Sequence, residues 1–323
     1  SNRGAPSVLD DTNETLSGTK WDYATQWSFH PIELVSFAFP YHFGLQNFSV
    51  KNRTNPSEFM KQASYWGYMP FTQSTHYMGL LVLLLPLIAL AIRVKTKDYD
   101  NYENFLWLIS VIFLIIGFGK HLPIFYQLLF DYAPFFSKFR IPSMIYLILI
   151  FTFTYLAAAS LDYIIQSNKE DLISSAKLVL GSFIIISSIF FLFGETLFSF
   201  HSPSDSRFPN YVQFVQNIRK DYFIKGVVLA LAISIGLSVI IWGFINEKIK
   251  KHTFLYVLLL ILIIDLWILD KEFLSLTKQK NFNNQFSINS KIEYMLNDNT
   301  HFRIFPADDI GSNSYGFWGL QSI

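Results

Sequence analysis

Hydrophobic and polar positions divide the 323-residue chain into three parts. Residues 1–76 are polar to mixed and dense in aromatics, residues 77–269 hold six apolar runs, and residues 270–323 turn polar again. The runs are Tyr77–Ile92, Asn104–Gly119, Ile141–Leu161, Leu178–Phe198 (which passes Glu195), Gly226–Asn246 and Thr253–Leu269. About 20 mostly apolar residues cross the ~30 Å hydrocarbon core as a helix, so the pattern predicts six membrane spans. The second run is short, and the sixth carries Asp265 within it. Pro86 lies inside the first, where a membrane helix tolerates it. Between the second and third runs, residues 120–140 are too interrupted to span. Their aromatics and leucines, with Lys120 at one end and Lys138 and Arg140 at the other, predict a helix or re-entrant piece lying in the interface.

An even number of spans puts both flanking segments on one side. The loops after the first, third and fifth runs hold eight Lys and Arg residues, and the longer loops after the second and fourth hold seven. The first set is also denser, so the positive-inside tendency predicts that 1–76 and 270–323 are external. Within 270–323, Ser290–Asn297 reads as a short helix and residues 301–306 (HFRIFP) as a strand. Together they predict the opening of a soluble α/β or β domain. The stretch NFNNQ reads as a polar linker, and the N-x-[ST] triplets at Asn13, Asn47 and Asn52 as chance. The chain opens on Ser1 and stops abruptly at Ile323, from which we expect a fragment of a longer protein.

Composition sharpens the class. Hydrophobic residues are 51 % and charged residues 15 % of the chain, against about 25 % charged in soluble domains. This excludes a disordered chain, a basic nucleic-acid-binding domain and an ordinary soluble enzyme. The fold class expected is an all-α, multi-spanning membrane protein. Net charge is +1 and identifies no partner. There is no cysteine, hence no disulfide, thiolate metal site or cysteine nucleophile. Walker, GxGxxG, HExxH and G-x-S-x-G motifs are absent as well.

Candidate chemistry lies in three places. Lys120 and Arg140 run against the positive-inside tendency, so they either hold a lipid phosphate or snorkel to head groups. Asp265 is an intramembrane carboxylate, which by default marks function; the alternative is a helix-end acid in contact with water or a basic partner. It lies 14 residues after Lys251, about 21 Å along a helix, towards the outer side together with Glu195. In the aromatic-rich segment, Glu33 could be a base whose pKa is raised by desolvation, or an acid at a helix start anchored in the interface. His30 and Glu33 are three apart with Pro31 between them, so a helix can begin there at best. No third metal ligand lies within reach.

Four stretches resemble the YfhO family of bacterial membrane proteins. They are WDYATQWSFHPIELVSFAFPYHFG (21–44), YWGYMPFTQSTHYMG (65–79), FGKHLPIFYQLLFDYAPFFSKFRIPSM (118–144) and, in 301–323, HFRIFPADD followed by SNSYGFWGLQSI. Ser1–Ala5 fits the pattern ahead of the first stretch. The resemblance implies a membrane glycosyltransferase of GT-C architecture in the bacterial cytoplasmic membrane. Such an enzyme inverts the sugar it takes from a polyprenyl-phosphate donor and gives it to an envelope polymer or glycolipid acceptor. It needs no cofactor or metal within this segment, and its partners are membrane lipid and the lipid-linked sugar, with no nucleic acid. The matched positions are Glu33, Lys120, His121 and Arg140. The basic three are expected on the lipid phosphate, and Glu33 or Asp265 on the acceptor side as catalytic carboxylates. In that architecture the principal catalytic acid lies in the first external loop, which this chain is expected to lack. Tyr68 stands where the family often has Asp, so no acid role carries over there. The alternative expectation is a non-enzymatic lipid-carrier binder or flippase; a purely structural envelope partner is a third.

Overall fold

The computed structural model describes residues 20–45, 64–69, 76–202, 205–206, 209–274, 279, 287–298, 300, 303–304 and 314–320. The linker NFNNQ and the three Asn triplets lie outside them. The chain forms two compact units, the larger spanning Gly4–Phe273 and the smaller formed mainly from Leu274 onward.

The larger unit is helical. A short helix α1 (Trp21–Ala24) is followed by a 3-10 helix (Pro31–Phe37), then α2 (Leu80–Thr96), α3 (Asn101–Gly117), α4 (Pro123–Tyr132), α5 (Tyr146–Gln166), α6 (Lys169–Leu197), α7 (Val212–Ile245) and α8 (Lys251–Asp270). Counting the 3-10 turns that lead into α5 and α7, four helices are long and apolar enough to cross a membrane: Pro142–Gln166, Lys169–Leu197, Pro209–Ile245 and Lys251–Asp270. They show the surface of a lipid-facing bundle, with Leu147, Phe151, Leu192, Val239 and Leu260 all turned outward.

The first two of the six expected spans are shorter than the rest. Helices α2 and α3 have 17 residues each, about 26 Å at 1.5 Å per residue, against a ~30 Å core. Local chemistry sets the facing ends of both. Lys97 takes a left-handed conformation that ends α2. Asp100 caps α3 by accepting the Glu103 amide at 2.8 Å, in the D-x-x-E pattern of a capping box. A short α2 matches its place in the centre of the bundle. Leu80, Leu81, Leu84, Leu85, Ile88 and Ile92 are all buried in the main core, among residues of α6, α7 and α8. Helix α3 packs on α2's neighbour α5, where Ser110 and Thr152 share a 2.8 Å hydrogen bond.

Polar ties define one end of this bundle. Arg93 donates to Glu103 at 2.7 Å and to the Asp98 carbonyl at 3.1 Å, and its guanidinium lies 3.8 Å from the Tyr163 ring centre. Lys95 pairs with Asp171 at 2.9 Å, and Lys169 with Glu247 at 2.6 Å. The loops after the first, third and fifth apolar runs therefore share an end, as the alternation of the runs predicts.

The expected interfacial piece is α4 with the turns after it. Ile124, Leu128 and Tyr132 recur at four-residue spacing and are 81, 56 and 81 % exposed, an apolar stripe of the kind that lies in a membrane interface. In the smaller unit, α9 (Ser290–Leu296) forms where a short helix is predicted, capped by Asn289. Of the expected strand, only Arg303 and Ile304 are described, and Ile304 makes an isolated β-bridge. No β-strand occurs among the described residues.

Candidate functional site

The aromatic-rich segment from Trp21 to Leu45 does not stand apart from the bundle. The Phe29 amide donates to the Gly117 carbonyl at 2.9 Å, Ile141 to Ala24 at 3.2 Å and Ser143 to Trp27 at 3.3 Å. The Lys120 amide donates to Ser28 Oγ at 3.0 Å, while that hydroxyl donates to the Thr25 carbonyl at 2.7 Å. Two glycines make this fit possible. A Cβ on Gly117 would stand 2.1 Å from the Tyr146 ring, and one on Gly119 2.1 Å from Ser28 Oγ. Gly119 also has φ +49, in the left-handed region where glycine is least strained. Residues 21–30 are thus laid like a strap across the ends of α3 and α5, forming a shelf.

Three of the predicted basic residues meet this strap. The Arg140 guanidinium lies 4.5 Å from the Tyr23 ring centre and 4.7 Å from the Trp27 ring centre, and it donates to the Tyr23 hydroxyl. Its Nε is buried without a hydrogen-bond partner. The His121 ring packs edge-on against His30 at 4.7 Å, and its Nε2 is likewise buried without a partner. Burial first, then the nearby His30 and Lys120, lower the His121 pKa to about 4, so the ring is neutral near pH 7. The Lys120 side chain is exposed on the same edge. Trp27 to His30 is three residues, at most about 10 Å of chain, so the Arg140 and His121 positions lie along one short strip.

Glu33 sits beneath the shelf. Pro31 starts a 3-10 helix, and His30 caps it by accepting the Ile32 amide on Nδ1 at 3.2 Å. In a 3-10 helix residues i and i+3 eclipse, so Glu33 follows His30 on the same face, but inward. It is 2 % exposed and accepts from the Tyr65 hydroxyl at 2.7 Å and the Tyr68 amide at 2.9 Å. The Tyr68 ring stacks on His30 at 4.0 Å. Burial raises the Glu33 pKa, and its two donors partly offset the rise. Both carboxylate oxygens are occupied by donors from residues 65–68, so Glu33 anchors that segment to the shelf.

Asp265 lies elsewhere, inside the bundle. It accepts from the Tyr77 hydroxyl at 2.7 and 2.9 Å through its two oxygens, and from the Leu80 amide at 2.8 Å. Leu80 is the first residue of α2, whose preceding residue Gly79 supplies no side-chain cap. An intramembrane acid thereby serves as the cap of another helix, a role different from both sequence expectations for it. Glu195 is exposed and pairs with Lys220 at 3.0 Å.

A further polar centre had no sequence signal. Arg219 on α7 is 1 % exposed. Its two terminal nitrogens bond both Asp205 oxygens at 2.8 Å, and the Phe200 and Ser64 carbonyls accept at 2.9 and 3.0 Å. One arginine side chain therefore pins segments around residues 64, 200 and 205 to one helix. A lone Arg beside a Lys in a polar stretch reads only as loop charge. Among the described residues, no three or more His, Asp or Glu side chains converge as they would around a metal.

No protein-family model, curated protein or solved structure matches the chain significantly. The YfhO resemblance accordingly rests on its four stretches of sequence.

Proposed function

We propose that this chain is the membrane part of a glycosyltransferase of GT-C type. In this reading it receives sugar from a polyprenyl-phosphate donor in a bacterial cytoplasmic membrane and passes it to an envelope polymer or glycolipid. Both flanking segments face outward, and residues 270–323 open an external domain. The observation that carries the proposal is the shelf, where Arg140 Nε and His121 Nε2 are buried without partners along a strip rimmed by Tyr23, Trp27 and Lys120. A phosphate oxygen is the kind of group that satisfies a guanidinium N–H, and an indole or phenol face suits the apolar side of a sugar ring. The exposed apolar stripe of α4 beside it suits a polyprenyl chain arriving from the bilayer. Transfer would be base-assisted attack of an acceptor hydroxyl on the anomeric carbon: the hydroxyl proton passes to the acidic residue that the resemblance places in the first external loop, the bond to the polyprenyl phosphate breaks as the new C–O bond forms, and the shelf stabilises the leaving phosphate's charge.

A second reading draws on the two carboxylates. Glu33 and Asp265 both spend their oxygens on internal donors, which leaves neither poised as a base. This favours a lipid-carrier binder or flippase that uses the same phosphate contacts without transfer. Sugar transfer from a labelled polyprenyl-phosphate sugar, assayed in membranes containing the full-length parent protein, separates the two. Transfer that falls at least tenfold in Arg140→Ala supports the enzyme. Undiminished transfer in Arg140→Ala at normal expression removes Arg140 from the site.

A further inference from the structure

Four helix ends meet at the end of the bundle away from the shelf. Helix α5 leaves there at Gln166 and α6 begins at Lys169; α7 leaves at Ile245 and α8 begins at Lys251. Between them lies a cavity of about 360 Å³. Its floor is apolar, formed by Ile164, Leu172, Phe244 and Ile249, and its rim carries Lys169, Lys250 and Lys251 together with the one carboxylate of the lining, Glu247. Helix α5 has 21 residues, about 31 Å of rise, so this cavity is a bilayer's thickness from the shelf and distinct from it.

The charges at the rim are unequal. Lys169 is held by Glu247 at 2.6 Å. Lys250 and Lys251 are exposed and form no ion pair among the described residues. Helix α8 starts between them with no side-chain cap and no acid in its first turn. Its leading amides add to the positive potential of the two ammonium groups. Nearby, Lys248 lies 4.4 Å from the ring centre of Trp242, and Trp 242 is exposed on the outer face of α7, a placement typical of the membrane–water boundary.

We propose that this cavity binds the phosphate-bearing head group of an anionic membrane lipid. Lys250 and Lys251 face the phosphate, and the apolar floor receives the first carbons of the lipid body. A volume near the lower end of the ~300–1,000 Å³ range of small-molecule sites accommodates a head group while the acyl chains stay in the bilayer. The same end holds the denser of the two Lys and Arg sets, the arrangement that attracts anionic lipid.

Native mass spectrometry of the full chain in neutral detergent tests this, with phosphatidylglycerol and phosphatidylcholine as probes. Phosphatidylglycerol is expected to bind at least tenfold tighter than phosphatidylcholine. The exposed pair Lys250→Gln and Lys251→Gln should remove that preference while the thermal midpoint of the lipid-free protein stays within a few degrees. Millimolar inorganic phosphate should not displace the lipid. Equal binding of the two lipids, an unchanged preference in the double variant, or displacement of the lipid by inorganic phosphate would each overturn the proposal.

Discussion

The carboxylate of Asp265 accepts the backbone amide of Leu80 at 2.8 Å, so α8 caps α2 across 185 residues of chain. Tyr77 completes the arrangement by donating its hydroxyl to the same carboxylate. The start of a helix leaves amide donors unsatisfied, and inside a membrane water does not replace them. Asp265 answers that need, and Gly79, with φ +97, lets the chain turn into the helix close to Asp265 Oδ2.

Replacing this acid therefore acts on stability. Asp265→Ala removes a cap, worth about 1 kcal/mol, and leaves the half-buried Tyr77 hydroxyl unpaired, at about 1–3 kcal/mol. We expect a loss of about 2–4 kcal/mol in unfolding titrations in detergent. Asp265→Asn keeps one carbonyl acceptor and should lose about half as much. If Asp265→Ala abolished sugar transfer without changing stability, the acid would belong to the site and not to the α2 cap.

Arg219 and Asp205 offer a second test. Removing one partner of a buried ion pair leaves the other charge uncompensated, at about 3–5 kcal/mol. Asp205→Asn should approach that loss. Burial pushes the Asp205 carboxyl up, but the Arg219 bonds and the Ser202 amide outweigh it, and the group sits below the usual carboxylate range. Its stabilisation is present above the ordinary Asp pKa and is lost as pH falls through the lower folded value. Wild-type melting temperatures should accordingly drop in that acidic window, and Asp205→Asn should flatten the drop.

His42 gives a pH dependence in a different window. Its ring is 1 % exposed among Phe43, Trp66, Phe198 and Phe223, with Nδ1 buried and unpartnered. Burial lowers its pKa to about 3. The unfolded chain takes up this proton near the ordinary pKa of ~6.5 and the folded chain resists it, so stability falls as pH drops from ~6.5 towards 3. His42→Phe keeps the ring packing and removes the proton; it should be less sensitive to acid than the wild type over pH 4–6 in thermal melts. Equal sensitivity would place the acid-labile group elsewhere.

Glu33 titrates with the opposite sign. Its raised pKa means that the fold holds a proton the unfolded chain has released, so this group's contribution falls as pH rises from the ordinary Glu value through the raised one. Glu33→Gln should flatten that slope and keep an acceptor for the Tyr65 hydroxyl or the Tyr68 amide. Stability measured from pH 4 to 8 reads the difference.

Much of this fold is legible in the apolar runs. All six runs became helices because each is long enough to form one and too apolar to leave in water. The 3.6-residue pattern could not show that α2 is central, since a run apolar all round looks the same buried in protein or in lipid. The helices run beyond the apolar runs because polar leading segments, such as Lys169–Ser175 of α6 and Val212–Lys225 of α7, continue them past their apolar parts. The basic residues of the shelf were visible as charges in an unfavourable loop. The Arg219–Asp205 pair and the Asp265 cap were not, because each joins residues whose neighbours carry no pattern. Tyr68 illustrates the limit of motif reading: its ring stacks on His30 while its backbone amide, which any residue could supply, holds Glu33.

The central claim is that the shelf grips a lipid phosphate through Arg140 and His121, and binding measures it most directly. Purified chain in phosphatidylcholine nanodiscs would be titrated with a short polyprenyl phosphate and, separately, with the matching polyprenol. The account predicts that the phosphate binds at least tenfold tighter than the alcohol, and that Arg140→Ala with His121→Ala erases the difference while the fold and the melting temperature are kept. Equal affinity for phosphate and alcohol in the wild-type chain, or an undiminished preference in the double variant, would contradict it.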